Sequence, residues 1–293
     1  MNKHLKEKKA LYVTHVFLGE AIHSTGELST ASALKGKGWE IDFMHPRNEL
    51  GRELLDNYGL GSHPATKSKL PFLGDISYIR AVMKILPEIL DENDYDVIIS
   101  EWTCSIGVSR VLENRKKKGK SSPPWIYEDR SPPAKRSLSS RLQWLHYDYV
   151  WRNVARKADA IEVLVPGLEK FVNSRYGNYP EMIHCPSGVD LERFIPKKSE
   201  DEALRIVYHG SLDVGRGLHR IIEFGKMLDS EGVKFRILIF GVGSLTNFFR
   251  NESKKRSWLE FGGVKEYAEV PKLVAENDIG ILPLPDALAW NVG

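Results

Sequence analysis

Short apolar runs of strand length recur along the first two thirds of the chain, and most are followed by a segment whose apolar residues have helical spacing. The runs read ALYVTHVF, WEIDFM, YDVIIS, WIYED and DAIEVLV, and a helical stretch over residues 29–37 follows the first of them. Strands that alternate with helices are joined by crossover connections, which makes neighbouring strands parallel. The pattern therefore predicts a doubly wound α/β sheet.

The same alternation starts again after residue 202. The later runs read LRIVYHG, KFRILIFG, WLEF and IGILPLP, and a helix is predicted over about residues 217–230. Pro, Lys, Ser and acidic residues cluster at 196–202, as they do in linkers. We therefore predict two Rossmann-like domains, residues 1–196 and 197–293. The second has about four strands, so it is either an unusually small domain or an incomplete one.

Composition narrows the class of protein. Of 293 residues, 28% are charged, and the formal net charge is only +3, which predicts a globular protein that does not bind nucleic acid. The two cysteines, Cys104 and Cys185, lie far apart and have no partner at metal-ligand spacing. The N-terminus MNKHLKEKKA has no long apolar core. We expect a cytoplasmic protein without a bound metal; the basic run at 115–120 is either a solvated helix end or a peripheral membrane contact.

Five segments in the second half resemble, in order, the motifs of glycosyltransferase family 4, a group of GT-B enzymes. The resemblance extends from about Asp159 to the C-terminus and, more weakly, back to the first strand. The segments are CPSGVDLERFIP, which is similar to the family's interdomain motif, GLEKFVNSRYG, IVYHGSLDVGRGLHRIIEF, LIFGVGS and VPKLVAENDIGILPLP.

The resemblance implies a transferase that moves a sugar from a nucleotide-sugar donor to a glycan or lipid-linked acceptor. It also implies retention of the anomeric configuration and no metal or other cofactor, with the acceptor on the N-terminal domain and the donor on the C-terminal domain. Two alternatives stay open: a GT-B nucleotide-sugar epimerase and a non-catalytic nucleotide-sugar-binding module. GVGSLT also imitates a dinucleotide-binding turn, but Thr246 replaces its third glycine.

The candidate donor site lies in two glycine-containing loops that follow predicted strands. In the family the first loop carries an Arg and a Lys that neutralise the leaving diphosphate; here Ser211 stands at the Arg position and Arg216 at the Lys position. A helix start with free N–H groups adds a second anion-binding element. The resemblance assigns donor binding to Gly188, Gly210, Ser211, Arg216, Gly241 and Gly243, and Gly188 is also expected to turn the chain tightly.

The candidate acceptor side lies after strands of the first domain. Gly19 matches a glycine of the family's first loop, and His23 in the same loop is a candidate contact to the reacting sugar. The segment 128–130, Glu-Asp-Arg, ends a predicted strand, where open α/β sheets bind ligands; a turn whose Asp and Arg bind backbone groups is the alternative. The aromatic stripe at 144, 147 and 151 has the spacing of a core-facing helix, or of an acceptor-side surface.

The end of the sequence leads to one further expectation. In the family, the strand that IGILPLP resembles is followed by a helix with two glutamates spaced Glu-x7-Glu, which hold the donor's sugar and ribose. The sequence ends at Gly293, before such a helix. We therefore expect an incomplete donor domain, in which nucleotide binds weakly and transfer is largely lost. The alternative is a naturally minimal donor domain.

Overall fold

The chain divides into two compact units, one extending to Ser187 and the other beginning at Gly188. This division lies within the segment Cys185 to Pro196 that resembles an interdomain motif. The computed structural model describes residues 8–19, 24–70, 73–133, 138–179, 181–189, 191–197, 202–266 and 269–286. Each unit is built around its own parallel sheet.

The first unit contains a parallel sheet of seven strands in the order β3-β2-β1-β4-β5-β6-β7. Its strands are β1 Lys8–Val13, β2 Trp39–Pro46, β3 Gly61–Ala65, β4 Val97–Glu101, β5 Trp125–Asp129, β6 Ala160–Val163 and β7 Ile183–His184. Its helices are α1 Ser24–Gly36, α2 Glu49–Tyr58, α3 Leu73–Glu92, α4 Ser105–Lys117, α5 Leu138–Asn153 and α6 Pro166–Tyr176. The doubly wound sheet predicted from the apolar runs is confirmed.

Both faces of this sheet are buried, which explains why its central strands are continuously apolar. Along β1, Ala10 and Tyr12 join one core cluster, whereas Leu11 and Val13 join the cluster on the opposite face. All four side chains are at most 2% exposed. Successive side chains of a strand point to opposite faces, so a strand between two helix layers needs an apolar residue at every position.

Two strands of this sheet were not predicted from the sequence. One is β7, which has only two residues. The other is β3, whose sequence GSHPA carries no strand signal, because it is short, polar and contains Pro64. It lies at the end of the strand order, next to β2. A proline lacks the N–H that a central strand must donate to its neighbour, but an edge strand needs bonds on one side only.

The second unit contains a parallel sheet of four strands in the order β10-β9-β8-β11. Its elements are β8 Leu204–His209, α7 His219–Ser230, β9 Phe235–Phe240, α8 Thr246–Ser253, β10 Leu259–Gly263, α9 Val270–Ala275 and β11 Ile279–Gly280. Ile206, Tyr208, Ile237 and Ile239 form the centre of its larger core cluster. These are the strands predicted after residue 202.

The basic run at 115–120 is only partly a solvated helix end. Arg115 is 8% exposed; its Nη1 donates to Asp91 Oδ1 at 2.5 Å, and its Nε donates to the Ser121 carbonyl at 3.2 Å. Lys120 contacts the same Asp91 at 2.7 Å. Of the two alternatives for this run, the solvated helix end is wrong for Arg115, because its guanidinium ties α4 to the end of α3.

The aromatic stripe of α5 belongs mainly to the core, since Tyr147 and Trp151 are fully buried and Trp144 packs against the same cluster. Within the described parts of the chain, no helix combines the length and apolar character that crossing a bilayer requires.

Candidate functional site

The first candidate site is a pair of loops at the carboxyl ends of β8 and β9 in the second unit. Gly210 follows β8 with φ of +133°, and Gly241 follows β9 with φ of +142°. The two glycines lie so close that a Cβ on Gly241 would overlap the Gly210 carbonyl group. Both conditions, a positive φ and close backbone approach, favour glycine.

The two loops are joined by backbone hydrogen bonds. The Leu212 N–H donates to the Val242 carbonyl at 2.9 Å, and the Leu245 N–H donates back to the Leu212 carbonyl at 2.8 Å. A Cβ on Gly243 would collide with the Leu212 backbone. The structure therefore brings the predicted residues Gly210, Gly241 and Gly243 together in one rigid arrangement.

Arg216 lies on the first of these loops, in a short 3₁₀ turn, Val214–Arg216, that precedes α7. Its side chain is half-buried and hydrogen-bonds to the hydroxyl of Tyr208 at the end of β8. Burial raises the pKa of Tyr208, and the charge of Arg216 with this hydrogen bond opposes the rise. The Arg216 guanidinium is thus near the point where β8 ends and the loop begins.

Ser211 has a different role from the cation that the family carries at this position. Its hydroxyl contacts the Asp213 carboxylate, and the Ser244 hydroxyl and N–H both lie 3.4 Å from Asp213 Oδ1. A carboxylate therefore lies within the loop pair, which lowers the positive potential available to an anion.

Three predicted site residues lie elsewhere. Gly19, with φ of +79°, is in the loop after β1 in the first unit, against Leu50 of α2. His23 lies outside the described residues. Gly188 begins the second unit; it has no positive φ, and open space surrounds the position of a Cβ. The expectation that Gly188 makes a turn only glycine allows was wrong. Phe194 of the same segment packs against the smaller core cluster of the second unit.

A second candidate site lies at the carboxyl end of the first unit's sheet, where polar side chains follow β1 and β4. Glu101, the last residue of β4, contacts His15 Nδ1 through Oε2 and also accepts the His15 backbone N–H at 3.4 Å. The Lys67 Nζ donates to the His15 carbonyl at 2.7 Å. The Thr14 hydroxyl donates to Glu27 of α1 at 3.2 Å.

The two glutamates of this cluster have opposite pKa shifts. Burial, together with the charge of Glu101 and a hydrogen bond between the two carboxyl groups, raises the pKa of Glu27. Burial also opposes ionisation of Glu101, but His15 and the hydrogen bond from Glu27 outweigh it and hold the pKa of Glu101 below its usual value. Glu27 is therefore the protonated donor and Glu101 the carboxylate, which accepts from both neighbours.

Glu128, at the end of β5, extends the cluster. It is 2% exposed, and its Oε1 accepts from Arg130 Nε at 2.7 Å. Burial raises the pKa of Glu128 to about 7; Arg130 opposes this rise, and the charges of Glu101 and Glu162 add to it. Glu128 Oε2 is buried and has no hydrogen-bond partner among the described residues.

Asp129, the next residue, points to the opposite face of the sheet. Its Oδ2 accepts from the Tyr147 hydroxyl at 2.6 Å and from Trp151 Nε1 at 2.9 Å, and its Oδ1 accepts from the Ser131 N–H at 3.1 Å. Burial raises its pKa to about 6, although these hydrogen bonds favour the charged form. Of the segment 128–130, Asp129 is therefore structural, whereas Glu128 and Arg130 belong to the polar cluster.

Sequence reasoning missed His15, Glu27 and Glu101. His15 lies within the apolar run ALYVTHVF, and Glu101 directly follows the run YDVIIS. A signal was available: a polar residue directly follows each of two strands, and parallel strands end at the same edge of a sheet. Their contact, 86 residues apart along the chain, could not be read from spacing.

Together the two parallel sheets and the glycine loops define the class: the fold is that of GT-B glycosyltransferases, with two Rossmann-like units. No family model matches the chain. It is 26% identical over 159 residues to the putative colanic acid biosynthesis glycosyltransferase WcaL of Escherichia coli K12. The matched region covers 50% of this chain and 37% of WcaL. The chain thus spans well under half the length of this curated relative.

Three solved structures have the same fold. A glycosyltransferase from Rickettsia africae superposes with a TM-score of 0.67 at 14% identity, covering 94% of this chain and 73% of that one. HepE of Anabaena, in complex with UDP and glucose, superposes with a TM-score of 0.66 at 12% identity, covering 93% of this chain and 73% of HepE. The UDP-GlcNAc 2-epimerase of Neisseria meningitidis, bound to UDP-GlcNAc, superposes with a TM-score of 0.58 at 11% identity, covering 93% of this chain and 76% of the epimerase.

Proposed function

We propose that this chain carries the catalytic fold of a glycosyltransferase that moves a sugar from a nucleotide-sugar donor to an acceptor hydroxyl. The sequence similarity to a glycosyltransferase named for colanic acid biosynthesis supports this, as does the shared fold with HepE, which was crystallised with UDP and glucose. The five segments resembling glycosyltransferase family 4 support the finer proposal of a retaining, metal-independent enzyme of that family.

The observation that carries the proposal is the interlocked glycine loop pair with Arg216. Open α/β sheets bind ligands beyond the carboxyl ends of their strands, and Gly210 and Gly241 stand at two such ends. The first turn of α7 follows, where the positive end of the helix dipole favours an anion; its Arg220 and Ile221 N–H groups donate to the Gly217 and Leu218 carbonyls. A positive side chain, exposed backbone and a helix start are the elements that bind a diphosphate.

The second unit is thus proposed as the donor-binding domain and the first unit as the acceptor-binding domain. Gly19, His23 and Gly188 remain proposed contacts on the strength of the family resemblance alone. A lipid-linked or glycan acceptor, with or without peripheral membrane contact, fits the proposal, and the acceptor is left to experiment.

Arg216 can be tested by calorimetry with UDP and with GDP. Arg216→Ala should weaken binding of the favoured nucleotide by ~1.5–3 kcal/mol, about 10- to 150-fold, because a charge-assisted hydrogen bond to the diphosphate is lost. Arg236→Ala is the matched control, since Arg236 is an exposed arginine near the amino end of β9, at the opposite end of the strand from the loops. Equal affinity of the Arg216 variant and the parent would remove Arg216 from the donor site.

Two other functions have specific observations in their favour. The shared fold with a UDP-GlcNAc 2-epimerase supports a nucleotide-sugar epimerase, and the Ser211–Asp213 contact in place of a second cation supports a non-catalytic binding module. Incubation with radiolabelled nucleotide sugars and a lipid extract separates the three. Label in the extract indicates a transferase, and an isomerised nucleotide sugar indicates an epimerase. Binding without turnover indicates the module only if a version of the chain extended by the downstream reading frame also lacks turnover, because an incomplete donor domain would likewise bind without transfer.

A further inference from the structure

The loop after β8 contains a carboxylate, that of Asp213, to which the proposed donor site assigns no role. The segment 210–217 has one acidic and one basic residue, Asp213 and Arg216, so its formal charge is zero. Asp213 directly precedes the short 3₁₀ turn Val214–Arg216, and its side chain is exposed. A ligand that reaches Arg216 therefore approaches a loop that carries one charge of each sign.

Contacts from both glycine loops hold this carboxylate in place. Its Oδ2 accepts from the Ser211 hydroxyl, and the Ser244 N–H and hydroxyl lie 3.4 Å from Oδ1. The Val214 N–H in turn lies 3.4 Å from the Ser244 hydroxyl oxygen. The carboxylate is therefore fixed where the loop after β8 meets the loop after β9.

Asp213 and Arg216 act on the same tyrosine hydroxyl, which places their two charges close together. The Tyr208 hydroxyl donates to the Ser211 carbonyl at 2.8 Å and accepts a hydrogen bond from Arg216. Burial raises the pKa of Tyr208, the charge of Arg216 opposes this rise, and the charge of Asp213 adds to it. The Arg216 N–H also donates to the Asp213 carbonyl at 3.0 Å. An anion beside the Arg216 guanidinium is therefore within range of the Asp213 charge as well.

The two nucleotides of a sugar transfer differ in charge at the diphosphate. In a nucleotide sugar both phosphates carry a substituent, which leaves one negative charge on each. In a free nucleoside diphosphate the terminal phosphate has a further ionisation with a pKa of about 6, so at about pH 7.5 this ligand carries nearly one more negative charge. Repulsion from a fixed carboxylate grows with the charge of the ligand.

We propose that Asp213 determines which nucleotide the donor loops prefer: it weakens binding of a free nucleoside diphosphate more than binding of a nucleotide sugar. This inference rests on the proposed glycosyltransferase function. Arg216 attracts both ligands, and Asp213 limits how tightly the loops hold the more highly charged one, so the discrimination comes from a repulsive contact. The free nucleoside diphosphate is the product of sugar transfer, and Asp213 therefore favours its replacement by a new nucleotide sugar.

Calorimetry on the full chain tests this inference, with UDP against UDP-glucose and GDP against GDP-mannose at low salt. Asp213→Asn removes the charge but keeps the size of the side chain and an oxygen that accepts hydrogen bonds. The affinity for the free nucleoside diphosphate, divided by that for its nucleotide sugar, should rise by roughly 2- to 30-fold in the variant. This range is the effect of one unit charge on another about 8 Å away, at effective dielectric constants of roughly 80 and 20.

Controls separate the effect of charge from an effect on structure. Asp229→Asn, at an exposed position in the last turn of α7, should leave the affinity ratio at the parent value. Ser244→Ala removes a hydroxyl near Asp213 and keeps the carboxylate, so it should not raise the ratio. In about 1 M KCl the screening length falls to roughly 3 Å, and the effect of Asp213→Asn should shrink, whereas a purely structural effect would persist.

Failure of this inference can be told apart from failure of the proposed function. If the parent chain binds UDP or GDP, and Asp213→Asn leaves the ratio unchanged, lowers it, or raises it equally at low and high salt, only the role of Asp213 is refuted. If neither UDP nor GDP binds the parent chain, the proposed donor site itself is refuted, and the role of Asp213 falls with it.

Discussion

Asp129→Asn should change how stability depends on pH, because Asp129 is a buried carboxyl whose pKa is raised to about 6. The ordinary value of an unfolded aspartate is about 3.9. Between these values the folded chain binds the proton more tightly than the unfolded chain does. The stability due to Asp129 is therefore fully present below about pH 4 and is lost as the pH rises through about 6.

The size of the effect follows from the difference in pKa. About two pH units at 1.36 kcal/mol each give roughly 3 kcal/mol in total, of which about 1.4 kcal/mol falls between pH 5 and pH 7.5. In Asp129→Asn the side-chain oxygen can still accept from Tyr147 and Trp151. The side-chain NH₂ group then faces the Ser131 N–H, and two donors cannot form a hydrogen bond. This loss, about 1 kcal/mol, does not depend on pH.

The assay compares urea unfolding of parent and variant at both pH values. Raising the pH should destabilise the parent relative to Asp129→Asn by about 1.4 kcal/mol. Comparing the two proteins at each pH cancels the contribution of Glu128 to the pH dependence of stability, because its pKa is raised in both proteins. Glu88→Gln, at an exposed position on α3, should leave the pH dependence of the parent unchanged.

A direct measurement is the titration of the Asp129 carboxyl carbon by ¹³C NMR in the folded protein. A midpoint at or below about pH 4, or urea curves that shift in parallel for parent and Asp129→Asn, would refute the reasoning. Either result would mean that the hydrogen bonds from Tyr147 and Trp151 outweigh burial.

Three further substitutions test the glycine loop pair and the packing of each unit's core. Gly241→Ala should place a Cβ against the Gly210 carbonyl and abolish nucleotide binding in calorimetry; parental affinity would show that the loops do not form the donor site. Trp125→Phe removes the 2.8 Å hydrogen bond from Nε1 to the buried Ser100 hydroxyl. It should lower the free energy of unfolding in urea by about 1–3 kcal/mol, and an unchanged free energy would mean that a water molecule replaces the lost donor. Ile237→Ala should destabilise the second unit by about 2–5 kcal/mol, and a change below 1 kcal/mol would contradict its fully buried position.

Local sequence indicated most strands of both sheets, because a strand covered on both faces is apolar at most positions. The apolar residues that begin ALYVTHVF lie in the parallel strand β1 Lys8–Val13, and those of LRIVYHG lie in the parallel strand β8 Leu204–His209. The glycines at the ends of β8 and β9 were also readable, since glycine is the residue type that tolerates positive φ and close backbone approach. These signals depend only on a few neighbouring residues, so they can be read from a single sequence without knowledge of the fold.

Tertiary structure decided whatever depends on which strands are neighbours. Strand β3 was missed because its pairing comes from the free edge of β2 and not from its own composition. Arg115 looked like one of several solvated cations, and only the packing of α3 against α4 places Asp91 beside it. The contact between His15 and Glu101 exists because β4 lies next to β1 in the sheet. Strand order is set by how the whole chain buries its apolar surface, so a residue pair 86 positions apart becomes a site only in the folded protein.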